Sequence, residues 1–383
     1  MKKKMLFYGS YLVVAMLATV LTLTLVHLEV DLKPSKLEQL QKLIEERFIG
    51  EADPAQLEDA AADAMVNATG DRWSYYIPAS EYEAYQERMD NAYVGVGITI
   101  QAQENDEGFL VMAVAAGGPA EEAGMQIQDL IIQVEDQDVR QMTTTQLRDL
   151  IKGEEGTSVS ITILRKGEVM SLSVERRQVQ TPVATYEMLQ DFVGLVTIEN
   201  FDTRCAEETI EAVETLLDNG AEKLIFDVRN NPGGYAHELI EVLDYLLPKG
   251  EIFHTVDYKG HEDISYSDAD CLKVPMVVLV NGSSYSAAEF FAAALREYEV
   301  ATIVGEPTVG KGYFQTTIRL NDGSAVALSV GKYYTPSGES LADVGVTPDN
   351  VVLLSEEEDY DLYYDLLPPE DDPHIQTALK ILK

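Results

Sequence analysis

Cysteine is almost absent from this chain: Cys205 and Cys271 are the only two. Two cysteines supply neither a disulfide framework nor the spacing of a thiolate metal site, although outside the cell they could pair with each other. Histidine is scarce too, with five in 383 residues. The nearest approach to a zinc-protease pattern, His237-Glu238-x-x-Glu241, lacks its second histidine, so no metal is expected and no cofactor is implied. Positive charge is short as well. Lys plus Arg number 28 against 66 Asp plus Glu, a net charge of −38. That balance argues against nucleic-acid binding and against electrostatic adhesion to anionic lipid, and it reads as a solubilising acidic surface. No internal repeat is evident.

What is present begins at the amino end. Lys2, Lys3 and Lys4 precede an uncharged apolar run, Met5 to Val26, with Glu29 and Asp31 after it. At about 1.5 Å per residue this run can cross a hydrocarbon core of about 30 Å. Basic residues before and acidic ones after place the amino terminus in the cytoplasm and the bulk outside. No small-x-small cleavage site follows, which favours an uncleaved signal anchor over a removed signal peptide. The roughly 355 residues beyond it fit two or three domains.

The stretch that carries chemistry is Asn281 to Glu289, NGSSYSAAE, with Gly305 to Gln315, GEPTVGKGYFQ. Val274 to Val280 is a β-branched apolar run that reads as a buried strand, and Ala287 to Tyr298 reads as an amphipathic helix. Ser286 therefore falls at a strand-to-helix turn, in the N-cap position. A hydroxyl there sits beside the unpaired N–H of Ala287 and the positive end of the helix dipole, which together can stabilise an oxyanion. It still needs a base, because a hydroxyl does not ionise unaided. Lys311, flanked by Gly310 and Gly312 after the short strand Val300 to Val304, is the candidate. Such a base must be a neutral amine, so its pKa has to fall from about 10.4, and a drop of roughly three units corresponds to about 4 kcal/mol. Gln315 could orient the amine through its side-chain carbonyl if the chain curls back over one turn.

These residues, SSYSAAE and VGEPTVGKGYFQ with the lysine 25 residues after the serine, and FDVRNNPGG at Phe226 to Gly234, resemble the carboxyl-terminal processing peptidases, or tail-specific proteases. The resemblance implies Ser286 as nucleophile, Lys311 as general base and Gln315 as its orienting partner. It also implies a backbone N–H from the Gly233–Gly234 turn beside that of Ala287 in the oxyanion hole. Tyr285 stands where many members of the family carry a small residue, a departure that bears on the pocket for the residue at the cleavage site.

Tyr93 to about Arg177 reads as a separate β-rich module. Gly95-Val96-Gly97-Ile98, followed by ITIQAQ and the GGPAEEAG turn and helix, is similar to a PDZ domain of bacterial proteases. In that fold the glycine-rich loop offers backbone N–H groups to a C-terminal carboxylate, the adjacent strand edge pairs with the incoming peptide, and Thr143 to Lys152 would be the helix lining the groove. Downstream, strands at 193–198 and 223–228 alternate with helices at 206–219 and 237–247, which argues for α/β layering. The resemblance, rather than the periodicity, implies a crotonase/ClpP-like layered protease core with the PDZ module inserted. The domain organisation is then a cytoplasmic basic end (1–4), a transmembrane signal anchor (5–27), a helical region and start of the core (28–90), the PDZ domain (91–180), the serine protease core (181–354), and an acidic linker with a closing helix (355–383). The resemblance associates the helical region with homodimer formation, and it implies unfolded or tail-exposed proteins as substrates.

Three rival readings use the same residues. Gly305 to Lys311 fits the first part of a phosphate-binding G-x-x-x-x-G-K loop, but Gly312 replaces the Ser or Thr that holds Mg²⁺ and the next residues alternate as a strand. A Ser-His-Asp triad remains open, with His237, His254 and His261 as candidate bases. A membrane-tethered PDZ scaffold with an inactive core is the reading from another class, and the presence of Ser286, Lys311 and Gln315 together cuts against it. Asp227 with Arg229 is expected to be a strand-end ion pair, and Glu289 a first-turn acid favoured by the helix dipole.

Overall fold

The computed structural model describes residues 16–19, 34–103 and 107–383. The apolar run Met5–Val26 lies outside the described residues apart from the helical Met16–Thr19. Among the described residues no helix is long and apolar enough to cross a membrane. The chain divides into two compact units, one of residues up to Pro78 with Ile318–Leu328, the other of Ala79–Thr317 with Ser329–Lys383.

In the first unit, helix Lys36–Arg47 starts at a capping box in which Ser35 and Glu38 satisfy each other's backbone amides. Helix Pro54–Asn67 starts at the Asp53 cap with proline in its first turn, where a missing N–H costs nothing. Strand Tyr75–Ile77 pairs antiparallel with Ala325–Ala327, and the Tyr76 hydroxyl donates to Asp59 at 2.7 Å.

The second unit contains a β-rich module. Its antiparallel sheet runs in the order Ile98–Ala102, Phe109–Val114, Leu130–Val134, Ser158–Arg165, Glu168–Glu175, which leaves Ile98–Ala102 as an outer strand. Helix Thr144–Ile151, capped by Thr143 and Gln146, packs beside that outer strand and Leu130–Val134. Phe109, Val111, Ile131, Leu147, Ile161 and Val174 are among the buried residues that fill the module. The chain enters and leaves through Ala92–Gly95 and Arg177–Gln180, paired antiparallel.

The rest of the second unit is built on a six-stranded sheet: β1 (Ala184–Met188), β2 (Val193–Ile198), β3 (Lys223–Asp227), β4 (Met276–Val280), β5 (Ala301–Gly305) and β6 (Asn350–Val351), in that spatial order. All neighbours are parallel except the β1–β2 pair. Helices α1 (Cys205–Asp218), α2 (Ala236–Leu246), α3 (Ala287–Glu297) and α4 (Pro373–Ile381) pack on it. Every residue of β4 is buried, because both faces of the sheet are covered. Met276, Val278 and Val280 join Leu224, Phe226 and residues of α1, α2 and α3 in one core. Val277 and Leu279 point the other way, with Ile225, onto Ile375, Ala378 and Leu379 of α4. This two-sided cover is why the strands read as continuous apolar runs instead of alternating.

The segment after Leu354, read as an acidic linker, contains helix Glu356–Tyr363, and a capping box of Ser355 and Glu358 starts it. The S-x-x-E spacing carries that signal where the acidic composition hides it. Cys205 and Cys271, whose pairing the sequence leaves open, are both unpaired, and Cys205 is buried.

Helix α4 is fastened by charge as well as by its apolar face. His374 is fully buried. Its Nε2 lies 2.9 Å from the Val352 carbonyl, which can only accept, so that nitrogen carries the proton. Its Nδ1 lies 3.3 Å from Arg229 Nη1, which can only donate, so the ring is neutral. Burial first, then the Arg229 charge, hold the imidazole below the ordinary histidine range, against the hydrogen bond to the Val352 carbonyl and the charges of Asp372 and Asp227. Below about pH 6.5 the unfolded chain therefore takes up a proton that the native chain resists, and stability falls as pH drops. Thermal unfolding from pH 7.5 down to 5 should show a steeper loss of Tm in the parent than in His374→Gln, which has no proton to gain.

Candidate active site

Ser286 occupies the turn between β4 and α3 with φ 61° and ψ −120°. A non-glycine residue held there stores about 1–3 kcal/mol of strain, which persists only where neighbours over-determine the backbone. They do so here. Ser284 donates from Oγ to the Val228 carbonyl at 2.7 Å, and the Tyr285 amide donates to the Asn231 carbonyl at 3.1 Å. Asn281 and Asn230 exchange hydrogen bonds, 2.9 Å from the Asn230 amide and 2.8 Å from the Asn281 side chain. A strained strand-to-helix turn of this kind lifts a hydroxyl out of the end of a sheet.

Glu289 lies one turn into α3 and is fully buried. Its Oε2 accepts the Ser286 amide at 2.9 Å and the Lys311 amide at 2.9 Å. Its Oε1 accepts the Gly310 amide at 2.6 Å and the Thr308 hydroxyl at 2.5 Å. The backbones of the two candidate catalytic residues thus meet on one oxygen atom. The sequence reading of Glu289 as a first-turn acid is correct in position but misses this role. The available signal was one acid inside the otherwise apolar AAEFFAAAL, since a carboxyl group in such a face needs partners from elsewhere in the chain.

Lys311 sits in the loop between β5 and strand Tyr313–Arg319. Its glycine neighbours let the segment 341–345 lie close: a β-carbon at Gly312 would come within 2.4 Å of the Ala342 amide nitrogen, and one at Gly310, where φ is +86°, within 3.0 Å of that of Val344. The Lys311 ammonium nitrogen is 5.7 Å from the centre of the Tyr285 ring, so the residue that departs from the family pattern faces the candidate base. Tyr333, buried, donates its hydroxyl to the Lys311 carbonyl. Its phenol is raised above the ordinary range by burial and then by Glu289, and the Ser286 side chain opposes this as a hydrogen-bond partner. Gln315 does not lie on a curled turn. It belongs to the extended strand Tyr313–Arg319, and its amide nitrogen is 3.1 Å from both the Tyr313 carbonyl and the Ser329 hydroxyl.

The Gly233–Gly234 turn abuts the serine. A β-carbon on Gly233, where φ is +89°, would stand 2.7 Å from Ser286 Cβ and 2.9 Å from the Ala287 nitrogen. The Gly233 amide itself donates to Asn231 Oδ1 at 2.8 Å. The amides of Gly234 and Ala287 have no hydrogen-bond partner among the described residues.

In the β-rich module, Gly95, Val96 and Gly97 are buried and Ile98 half-buried. The Val96 and Gly97 carbonyls accept the Ala120 and Ala115 amides, each at 2.9 Å, and their own amides have no partner among the described residues. Two unpartnered amides thus sit at the start of the outer strand. The rival histidines lie elsewhere. His237 is exposed beside Glu238 and Tyr235, His254 lies between Glu251 and Glu262, and His261 pairs with Asp257. Lys311 is followed by a strand and not by a helix, so no phosphate-binding loop forms.

The profile of peptidase family S41 matches residues 192–352, and a PDZ-domain profile matches residues 110–165. The carboxy-terminal processing protease CtpA of Bacillus subtilis is 32% identical over 321 residues, covering 83% of this chain and 68% of that protein. The chain belongs to peptidase family S41. A probable CtpA-like serine protease of Staphylococcus aureus is 29% identical over 319 residues, covering 82% of this chain and 64% of that protein. A solved S41 protease candidate from Bacteroides fragilis superposes with a TM-score of 0.57 at 18% identity, covering 92% of this chain and 98% of that one, and it shares the fold. This S41 chain is accordingly a mixed α/β serine-type peptidase fold with a PDZ domain.

The geometry around Glu289 makes a direct prediction for this S41 chain. Glu289→Gln keeps the shape but turns an N–H₂ group toward two donors, so hydrogen bonds are lost on one side whichever way the amide faces. Denaturant unfolding should show a loss of at least about 3 kcal/mol, and reaction of Ser286 with an acylating serine reagent should slow.

Proposed function

We propose that this chain is a membrane-anchored serine endopeptidase that recognises the C-terminal tail of a substrate protein through its PDZ domain and cleaves by a Ser286–Lys311 dyad. The observation that carries the dyad is the single Glu289 oxygen on which the Ser286 and Lys311 amides converge. In the reaction, the neutral Lys311 amine takes the Ser286 hydroxyl proton as Oγ attacks the peptide carbonyl. The developing oxyanion is received by the Ala287 N–H and by the Gly233–Gly234 turn, where Gly234 has the uncommitted amide. Lys311 then passes its proton to the departing amine, leaving an acyl-enzyme that is released by water activated by the same amine. Gln315 supports Lys311 from the neighbouring strand, through its side-chain oxygen.

The substrates on this reading are unfolded or tail-exposed proteins. The peptide adds a strand along Ile98–Ala102, and its terminal carboxylate is bound by the amides of the Gly95-Val96-Gly97-Ile98 loop. The uncharged run Met5–Val26 anchors the chain, with the PDZ and protease domains outside the cytoplasm of a bacterial cell. The helical region before Pro78, whose Leu37, Leu40, Leu43 and Phe48 are exposed, is the surface for a homodimer.

The test is cleavage of an unfolded reporter with an apolar C-terminus. Ser286→Ala and Lys311→Ala should each lower kcat/KM by about a thousandfold or more, and Lys311→Arg should be no better, since a guanidinium does not give up its proton. Cleavage retained in Lys311→Ala would reject the dyad. No cleavage by the parent, across several tails that it binds, would favour the scaffold reading. Peptide binding to Ser286→Ala gives a separate check: amidating the peptide's C-terminus should raise Kd about tenfold or more.

A further inference from the structure

The ion pair expected of Asp227 and Arg229 at the end of β3 is present, but it is not closed on itself. Arg229 is almost fully buried, and its Nε donates to the two Asp227 oxygens at 2.9 and 3.0 Å. Its Nη1 turns to the far end of the chain, where Asp372 Oδ2 lies 2.7 Å away as an ion-pair contact and His374 Nδ1 lies at 3.3 Å. Asp372 is 1% exposed. Its other oxygen, Oδ1, caps α4 by accepting the His374 amide at 2.8 Å and the Ile375 amide at 3.2 Å. Two carboxylates around one guanidinium leave an excess negative charge, and the positive end of α4 offsets it.

Arg229 is also the residue from which the catalytic-side turn springs. Its amide is tied to Asp227 Oδ1 at 2.9 Å. The next residue, Asn230, has φ +58° and is locked to Asn281, and the turn ends at Gly233, packed against Ser286. A side chain from residue 372 thus holds the root of the turn whose tip touches the candidate nucleophile.

From this geometry we infer that Asp372 is a positioning residue for the Ser286 centre: one carboxylate oxygen caps α4, the other holds Arg229, and it is this charge on Arg229, not the docking of the helix as such, that fixes the Asn230–Gly234 turn. This rests on the peptidase reading only for its effect on rate. The placement of the turn can be read without any activity.

The test uses the full-length protein and three variants. Asp372→Asn keeps a good helix cap but removes the charge opposite Arg229. Leu379→Ala loosens the same helix through its apolar face without touching Arg229. Ser286→Ala reports whether any measured cleavage belongs to the proposed nucleophile. Hydrogen–deuterium exchange of the peptide spanning 228–235 should quicken about tenfold in Asp372→Asn and stay near the parent rate in Leu379→Ala at matched distance below each Tm. Cleavage of the reporter should lose about tenfold in kcat with KM within about twofold in Asp372→Asn, and neither parameter should move in Leu379→Ala. Unchanged exchange in Asp372→Asn, or an equal rise in Leu379→Ala, overturns the inference, because the residue would then serve helix docking alone. A response in exchange with no Ser286-dependent cleavage in the parent would retain the positioning role and discard the peptidase reading.

Discussion

A carboxyl group enclosed by apolar side chains is costly unless its lone pairs are all used, and Glu289 meets that condition with donors from two places in the chain. The Ser286 amide comes from its own helix, the Gly310 and Lys311 amides from the loop after β5, and the Thr308 hydroxyl from the same loop. None of these donors has to move for the others to be satisfied. The result is a loop and a helix end fixed to each other by one side chain. The strained backbone at Ser286 and the glycine-flanked approach of Lys311 both depend on it.

The remaining constraint comes from the sheet. Strands β2 to β5 are parallel, and their buried faces need cover on both sides. Helices α1, α2 and α3 supply one side and α4 the other. Because α4 comes from the last residues of the chain, closing the second face also brings Asp372 and His374 to the end of β3. Packing and electrostatics therefore place the same helix. Its apolar stripe sets how it lies on the sheet, while its capping residue decides what stands opposite Arg229.

Much of the site could be read along the chain. The strand before Ser286, the helix after it and the N-cap position follow from apolar periodicity and helix propensity, and the structure places α3 at Ala287–Glu297. The helices at 205–218 and 236–246 lie within a residue of their periodic patterns. Helix Glu356–Tyr363 was obscured by its composition, since a run of acids and tyrosines shows no apolar stripe. Gln315 was read through a turn it does not make, although the alternation after Gly312 already favours a strand, and pairing with the strand Ala325–Tyr334 keeps residues 313–319 extended.

By itself the sequence determined the order of strands and helices, the residue at the strand-to-helix turn, the lysine between two glycines and the family resemblance. Those features depend on neighbours a few residues apart, where periodicity, capping and backbone preference act. Only the tertiary structure decided that Glu289 joins Ser286 to Lys311, that the Gly233 amide is held by Asn231 while that of Gly234 is not, and that Arg229 is shared between Asp227 and Asp372. Each of these joins groups on different elements. A buried polar group announces in the sequence that it needs partners, but which donors reach it depends on how the sheet and its covering helices close around it.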